Sequence, residues 1–290
     1  MVMNKPNYVA PKNLDEALAI LGKQTAGVKI IAGGTDLIPR LRARMVAPSL
    51  LVDLRLLGLD GIEILGGRIR IGACTTHTGI LESDLLAEHC PAIVKAARDV
   101  AGPPVRNRGT VGGNLVNASP AADLATPLLV HDAVAVVVKA GAEREVPLAE
   151  FFTGPGVTVL APNELLKEIY VPTLADNTTS TFIKLGKRKA MAIAVVSAAA
   201  RLTLDDGGKI SHARIALGSV APTPMRAVEA ETLLQGKTPS VDLFAEAGHL
   251  TRSEVSPISD LRASGGYRKK MVAVLTRRAL AAAWQQLGGE

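Results

Sequence analysis

The sequence predicts an α+β protein in two parts, an α/β part over residues 1–175 and a small antiparallel sheet packed with helices over residues 176–290. The first part repeats a pattern of short strand, glycine turn and helix. The second has strands joined by Asp205-Asp206-Gly207-Gly208, a strong hairpin signal, and then helical segments. A polar, turn-rich stretch at 173–180 separates the two patterns. At 290 residues the chain is long enough for two cores.

The first elements frame a glycine turn. Asn13 is placed to cap a helix that runs to Leu21, and residues 28–32 form an apolar run typical of a buried strand, ended by Gly33-Gly34. Thr35 or Asp36 can cap the following helix. The apolar side of that helix is predicted to contain Leu37, Leu41 and Met45. Strand, glycine turn and helix together make a local geometry suited to phosphate, although a plain turn would have the same pattern.

A hairpin follows a further strand at 50–54. Residues 62–65 and 68–72 alternate around Gly66-Gly67, which predicts its two strands. The small-residue run 72–76 either lines a ligand or forms a simple turn. We expect His77, at the start of the next helix, to be a capping or surface residue rather than a catalyst. Pro91 then opens a helix that reaches Val100.

The stretch 110–132, TVGGNLVNASPAADLATPLLVHD, is the centre of the prediction. Gly112-Gly113 would let the backbone approach a ligand where a Cβ would clash, and exposed N–H groups at such a turn would suit a phosphate. Arg106 and Arg108 precede it and suit an anion, or alternatively pair with surface carboxylates. Asp123, among apolar residues of a predicted helix at 121–130, needs a partner; a ligand hydroxyl or a backbone cap would serve.

The remaining chain is predicted to contain mostly hairpins and helices. Strands are expected at 134–140, 143–147 and 164–171, then at 181–187, 194–204 and 209–219, and helices at 226–235, 241–252 and 267–287.

Composition excludes several classes of protein. The formal net charge is +6, but the basic residues are scattered without interleaved aromatic residues, so we expect no nucleic-acid partner. The two cysteines, Cys74 and Cys90, lack metal-ligand spacing and cannot build an iron–sulfur cluster. No run reaches the roughly 20 apolar residues of a membrane helix, and the first residues lack the apolar segment of a secretory signal. We therefore expect no membrane span and a cytoplasmic location.

The motifs KIIAGGTD (29–36) and TVGGNLVNASPAADLATP (110–127) together resemble the FAD-binding medium subunit of the molybdenum hydroxylases, the family of xanthine and carbon monoxide dehydrogenases. Four later segments also match the family's pattern in order, at 72–76, 182–199, 217–227 and 262–280. The resemblance thus covers nearly the whole chain. It implies an FAD-binding domain over 1–175 followed by the C-terminal domain.

The resemblance also implies a cofactor site. Its implied FAD-binding residues are Lys29, Ile30, Ile31, Ala32, Gly33, Gly34, Thr35, Asp36, Thr110, Val111, Gly112, Gly113, Asn114, Asp123 and Lys184. Asp123 would bond a cofactor hydroxyl, and Lys184 would lie near the flavin, where an ammonium group would favour the anionic reduced form. The alternative for Lys184 is a surface lysine on a strand. No catalytic side chain and no metal ligand is implied.

Partners follow from the same resemblance. A large subunit would carry molybdopterin and the substrate site, and a small subunit two [2Fe–2S] clusters, in a dimer of heterotrimers. Electrons would pass through FAD to NAD, a quinone, ferredoxin or oxygen, with an N-heterocycle or an aldehyde as the substrate oxidised on the large subunit. Thr35-Asp36 and Ala118-Ser119-Pro120 differ from the carbon monoxide branch and point away from CO as substrate.

Two other functions stay open. A self-contained flavin oxidoreductase would have its own substrate pocket, and a nucleotide-binding scaffold without flavin would have disrupted glycine loops. We also expect Gly33→Val or Gly113→Val to abolish FAD binding in a folded chain, because the steric demand would come from the ligand.

Overall fold

The computed structural model describes residues 5–23 and 26–289. Its strands are β1 Asn7–Val9, β2 Val28–Ile31, β3 Leu50–Asp53, β4 Ile62–Leu65, β5 Arg68–Gly72, β6 Val134–Lys139, β7 Ala142–Pro147, β8 Phe152–Gly154, β9 Val157–Thr158, β10 Leu165–Pro172, β11 Thr178–Leu185, β12 Val196–Leu204, β13 Ile210–Gly218 and β14 Met225–Arg226. Its helices are α1 Leu14–Lys23, α2 Leu37–Arg42, α3 His77–Leu81, α4 Asp84–His89, α5 Pro91–Asp99, α6 Pro103–Arg106, α7 Val111–Val116, α8 Ala125–Val130, α9 Leu148–Phe151, α10 Val228–Leu234, α11 Val241–Glu254 and α12 Gly265–Gln286.

A small parallel sheet opens the fold, with β3 between β1 and β2. The helix predicted after Asn13 is confirmed as α1, and the Asn13 side-chain oxygen accepts a hydrogen bond from the Glu16 N–H at 2.9 Å. Leu18 and Leu21 of this helix are buried in the core under the sheet. The cap and the apolar face therefore both fix α1 against the strands.

Two expectations about β2 and α2 are wrong. β2 was predicted to be buried, but it is an edge strand with Lys29 exposed and its other residues half-buried, because only β3 pairs with it. Asp36 occupies the N-cap position of α2 without a side-chain cap bond and instead pairs with Arg40 at 3.6 Å. No residue of α2 is buried, and Met45, predicted on its apolar side, is exposed.

A five-stranded antiparallel sheet, in the order β4-β5-β10-β6-β7, forms the body of the N-terminal part. The two predicted hairpins, β4–β5 and β6–β7, are confirmed. One face of the sheet supports a core shared with α3, α5, α7 and α8, and this core includes Ile93, Leu115 and Phe151. The predicted helix at 121–130 is shorter, because residues 119–124 form turns and α8 begins only at Ala125.

The C-terminal part is a four-stranded antiparallel sheet, β11-β12-β13-β14, covered by α10, α11 and α12. The predicted hairpin β12–β13 and the three helices are confirmed, whereas β14 is too short for a periodic signal. Phe244 of α11 and Trp284 of α12 meet edge to face, with ring centroids 5.7 Å apart. This contact lies in the second core, which is separate from that of the first part.

The two parts meet where α5 and α8 of the N-terminal part contact the four-stranded sheet of the C-terminal part. Ser180 of β11 accepts a hydrogen bond from the Ala92 N–H at 3.2 Å, and Asp132, which follows α8, forms ion pairs with Arg201, Arg214 and Arg226. These contacts hold the C-terminal sheet beside the segment that carries Asp123. The division at 175/176 stays a prediction. Within the described ranges, no helix is long and apolar enough to cross a membrane.

Candidate functional site

The two glycine-containing motifs face each other across one cavity of about 340 Å³. We call it the loop cavity. Its lining comprises all of Lys29–Asp36, with Leu37, Arg40, Leu54, Ala73, Cys74, His77, Val100, Val105, Gly109, Thr110, Gly112, Gly113, Asn114, Val116, Asn117, Leu160, Glu164, Leu165 and Leu166. Its volume falls within the range typical of sites for small molecules and cofactors. Of the residues predicted for the site, Val111, Asp123 and Lys184 do not line this cavity.

The first motif supplies unpaired backbone donors. The N–H groups of residues 33–36 donate no hydrogen bond to any described residue. Gly34 has φ +72°, which a residue with a Cβ rarely adopts and which turns the chain from β2 toward α2. Consecutive free N–H groups at such a turn form a concavity that suits an anion. Here the sequence-based expectation of exposed donors agrees with the structure.

The second motif is different from what the sequence predicted. Residues 111–116 form the short helix α7 rather than a glycine turn, and Thr110 caps it by accepting from the Gly113 N–H at 3.0 Å. The N–H groups of Val111, Gly112 and Asn114 donate to the carbonyls of Thr75, Ala73 and Thr110. All four donors of residues 111–114 are therefore occupied, and the expectation that this motif presents exposed N–H groups is wrong.

Val111 is a particular case of this correction. Its side chain is fully buried in the N-terminal core and its N–H is held by Thr75 at 2.9 Å. Neither group is directed to the cavity, so the structure assigns Val111 to the support of the loop rather than to its binding face.

The glycines are needed for different reasons. A Cβ on Gly33 would lie 1.8 Å from the Arg108 carbonyl oxygen, and a Cβ on Gly112 would lie 2.7 Å from the Ala73 Cβ. A Cβ on Gly113 would meet only the Thr110 hydroxyl, at 3.0 Å. The expectation that the steric demand at Gly33 comes from the ligand is therefore wrong, because the protein itself excludes the side chain. For Gly113 the expectation stays a prediction.

Two side chains on the cavity wall have polar atoms without partners. The Asn114 Oδ1 and the His77 Nδ1 are both buried, and neither has a hydrogen-bond partner. His77 was expected to be a capping or surface residue, but Thr76 caps α3 and His77 is only 3% exposed. Burial, with Arg106 nearby, lowers the pKa of His77 to about 4, so the ring is neutral at physiological pH.

The small-residue run at 72–76 forms a turn, with the Thr75 N–H donating to the Gly72 carbonyl at 2.9 Å, and it also lines the cavity. Ala73 and Cys74 both contribute to the wall. Their small side chains let the run pass close to Gly112, whose N–H bonds to the Ala73 carbonyl at 2.8 Å. Burial raises the pKa of the Cys74 thiol to about 11, so this sulfur is protonated and unreactive at neutral pH.

Asp123 and Lys184 form an ion pair that the sequence did not reveal. The Lys184 Nζ lies 2.6 Å from the Asp123 Oδ2 and also donates to the Asp99 carbonyl at 2.9 Å. Lys184 is not the surface lysine of the alternative interpretation, because its side chain is only 6% exposed. Asp123 Oδ1 is buried without a partner, and burial raises the pKa of Asp123 to about 6, against the opposing charge of Lys184.

Lys184 faces a second cavity, of about 360 Å³, which we call the lysine cavity. It is lined by Asp99, Lys184, Leu185, Gly186, Lys187, Arg188, Lys189, Met191 and Ala192. Asp99 and Val100 are neighbours in the chain and lie on the lysine cavity and the loop cavity respectively. The two cavities are therefore adjacent, and the end of α5 separates them.

The two arginines before the second motif do not both serve an anion. Arg106 donates from one guanidinium nitrogen to the carbonyls of Arg98 and Val100, both at 3.1 Å, and so closes the end of α5. Arg108 is exposed, and its side chain has no partner among the described residues. The structure gives Arg106 a structural role and assigns Arg108 none.

Two family profiles match the chain. Residues 3–174 match the FAD binding domain in molybdopterin dehydrogenase, and residues 181–283 match the CO dehydrogenase flavoprotein C-terminal domain. Among the described residues, no group of three or more His, Cys, Asp or Glu side chains could hold a metal ion.

Similar proteins cover the chain almost end to end. The 6-hydroxypseudooxynicotine dehydrogenase complex subunit alpha of Paenarthrobacter nicotinovorans is 36% identical, over 96% of this chain and 94% of its own length. The xanthine dehydrogenase FAD-binding subunit of Escherichia coli O157:H7 is 33% identical, over 98% of both chains. A solved carbon monoxide dehydrogenase from Hydrogenophaga pseudoflava, which lacks the Mo-pyranopterin moiety of its molybdenum cofactor, superposes with a TM-score of 0.94 at 34% identity, over 98% of this chain and 99% of that chain.

Proposed function

The chain belongs to the family of FAD-binding medium subunits of the molybdenum hydroxylases, and from this membership we propose that it is an electron-transfer subunit of such an enzyme. Electrons would come from [2Fe–2S] clusters of a partner subunit and leave through FAD to an external acceptor. The observation that carries the proposal is the meeting of both glycine motifs on one cavity, with free N–H groups on one side.

The residues of the loop cavity fit FAD. Four consecutive N–H groups at 33–36 have no partner and suit the negatively charged pyrophosphate. Asn114 Oδ1 is a buried polar atom without a hydrogen-bond partner, and burying such an atom unpaired costs about 1–3 kcal/mol. The absence of a Cβ at Gly113 leaves the first turn of α7 open to close approach.

FAD, when bound, supplies a carrier that accepts electrons singly or in pairs. The chain's own contribution is position and charge. Residues 33–36 and Asn114 would hold the cofactor along the loop cavity, and Ala73 and Val100 would exclude water from its apolar wall. The Asp123–Lys184 pair would support the far end, beside the lysine cavity, with little net charge because each ion compensates the other.

Family membership supports a proposal for the partners and for the class of substrate. We propose a large molybdopterin subunit and a small iron–sulfur subunit, assembled with this chain as a dimer of heterotrimers. The relatives are named for 6-hydroxypseudooxynicotine, xanthine and carbon monoxide dehydrogenases at similar identity. An N-heterocycle or an aldehyde fits the departures of 35–36 and 118–120 from the carbon monoxide branch. The acceptor would be NAD, a quinone, ferredoxin or oxygen.

The first test is a visible absorption spectrum of the purified full chain, followed by denaturation and identification of any released chromophore. We expect flavin bands and released FAD, or uptake of added FAD by colourless chain. A folded chain that neither contains nor takes up FAD would overturn the proposal.

A second test addresses the partners. Co-expression with a large molybdopterin subunit and a small iron–sulfur subunit of this family should yield a complex that reduces an artificial electron acceptor, whereas the chain alone should not oxidise small substrates. Substrate turnover by the isolated flavin-loaded chain would instead favour a self-contained flavin oxidoreductase.

A further inference from the structure

His77 lies on the wall of the loop cavity with both ring nitrogens unpaired. Nδ1 is buried without a partner, and no described residue bonds to Nε2. His131, which is also buried, has a partner at one ring nitrogen, because its Nε2 lies 2.9 Å from the Ser180 hydroxyl, whereas its Nδ1 is unpaired like that of His77. A neutral imidazole has one donor and one acceptor nitrogen, and leaving such groups buried and unpaired costs about 1–3 kcal/mol. His77 thus differs from His131 in having neither ring nitrogen paired and in lining the loop cavity.

The backbone fixes the position of this ring. The His77 N–H donates to the Gly109 carbonyl at 3.0 Å, and a bridge between Thr76 and Thr110 ties the start of α3 to the second motif. A Cβ at Gly109 would lie 3.1 Å from the His77 Cδ2. The edge of the ring that carries Cδ2 consequently packs against a glycine, and the hydrogen bond of the His77 N–H holds this position without a ligand.

The same glycine connects His77 with the free donors of the first motif. A Cβ at Gly33 would lie 3.0 Å from the Gly109 Cα, so Gly109 lies between the ring and the turn at 33–36. All three features line the loop cavity. The N–H groups of 33–36 could bind the anionic group of a ligand in this cavity. The same ligand would then lie near the imidazole of His77, which has an unused hydrogen-bond donor.

We propose that His77 is a cofactor-binding residue, which donates a hydrogen bond from its neutral ring to the anionic section of bound FAD. This inference rests on the proposed function. In this proposal FAD is the hydrogen-bond partner that the protein does not supply to His77. The buried Asn114 Oδ1 lacks a partner in the same way. The low pKa of the ring, a consequence of burial, keeps it a neutral donor and limits the cost of enclosing it in the absence of ligand.

The test compares FAD affinity and stability in three variants of the full chain. His77→Phe removes both nitrogens and keeps a planar ring, so we expect FAD affinity to fall about tenfold or more, as for the loss of one hydrogen bond to a charged group. Without FAD, this variant should be at least as resistant to urea as the wild type, since an unpaired buried group is gone. His77→Gln, which restores a donor, should recover most of the affinity, and exposed His212→Gln is the control for losing a histidine.

A direct measurement covers the case in which His77→Phe does not fold. In chain labelled with ¹⁵N at histidine, addition of FAD should shift the His77 ring nitrogens and leave those of His131 in place. Wild-type affinity in folded His77→Phe, or unshifted His77 signals in an FAD-saturated chain, would overturn the inference. Failure of the wild type itself to bind FAD would instead refute the proposed function, so the two failures are distinguishable.

Discussion

The Lys184 ammonium and the Asp123 carboxylate, 61 positions apart in the sequence, form an ion pair of 2.6 Å in which both side chains are almost fully enclosed. Lys184 extends from β11 of the C-terminal sheet, and Asp123 precedes α8 of the N-terminal part. The pair therefore links the two parts beside the lysine cavity, whose wall includes Lys184. Its burial means that each charge depends on the other for compensation.

Breaking this pair from one side should be costly. We expect Lys184→Met or Asp123→Leu alone to lower the free energy of unfolding by about 3 kcal/mol, because the remaining charge is buried without a partner. The double variant should recover most of that loss, since two apolar side chains need no compensation. Urea unfolding without FAD measures the free energy of unfolding of the wild type, the two single variants and the double variant. Additive losses in the double variant would show that the two charges are solvated independently.

The pH dependence of stability should reveal Asp123. Its pKa is raised from 3.8 to about 6 in the folded chain, chiefly by burial. Between these values the folded chain keeps a proton that the unfolded chain has lost, so this group's contribution to stability falls as the pH rises from about 4 to about 6. The stability of the wild type minus that of Asp123→Asn should decrease over this interval and then level off. A difference that stays constant from pH 4 to pH 7 would contradict the raised pKa.

Gly33→Ala and Gly113→Ala form a matched pair that separates demands of the fold from demands of the ligand. At Gly33 the new Cβ meets the Arg108 carbonyl, so we expect a loss of about 3 kcal/mol or more in the chain without FAD. At Gly113 only the Thr110 hydroxyl is close, so stability should change by about 1 kcal/mol at most while FAD affinity falls at least tenfold.

Thermal unfolding and flavin-fluorescence titration measure the two effects in these glycine variants. If Gly113→Ala binds FAD like the wild type, the first turn of α7 does not approach the cofactor. If Gly33→Ala is as stable as the wild type, the turn at 33–36 can move away from Arg108.

Acid should destabilise the chain through His131. Complete burial, reinforced by the charge of Arg201, lowers its pKa to about 3. The unfolded chain protonates this histidine near its ordinary pKa of 6.5, so its contribution to stability is complete above that pH and is lost as the pH falls toward 3. His77, with a pKa of about 4, acts in the same direction.

Replacement isolates the contribution of His131. His131→Gln should show a shallower loss of stability between pH 6.5 and pH 4 than the wild type, measured by urea unfolding at several pH values. Exposed His212→Gln provides the control. Parallel pH profiles for the wild type and His131→Gln would show that His131 is protonated in the folded chain as easily as in the unfolded chain.

The sequence by itself determined the order and type of most elements. Local signals were sufficient for α1, whose Asn13 cap and apolar face are contiguous, and for the hairpins, whose turns lie between their strands. Both glycine motifs were also identified from the sequence as parts of the candidate site. Those motifs line one cavity, as a pair of loops around a single ligand would.

Tertiary structure alone decided what each motif offers. The donors of 111–114 are used by Ala73, Thr75 and Thr110, whereas those of 33–36 stay free. The two glycine motifs look alike in sequence. A glycine pair indicates conformational freedom, but it does not show which hydrogen-bond acceptors surround it. Asp123 and Lys184 likewise gave no local sign of their pairing, and His77 gave none of its burial. In each case the deciding partner comes from another segment of the chain, and only packing brings hydrogen-bond donors, acceptors and charges from distant segments within bonding distance.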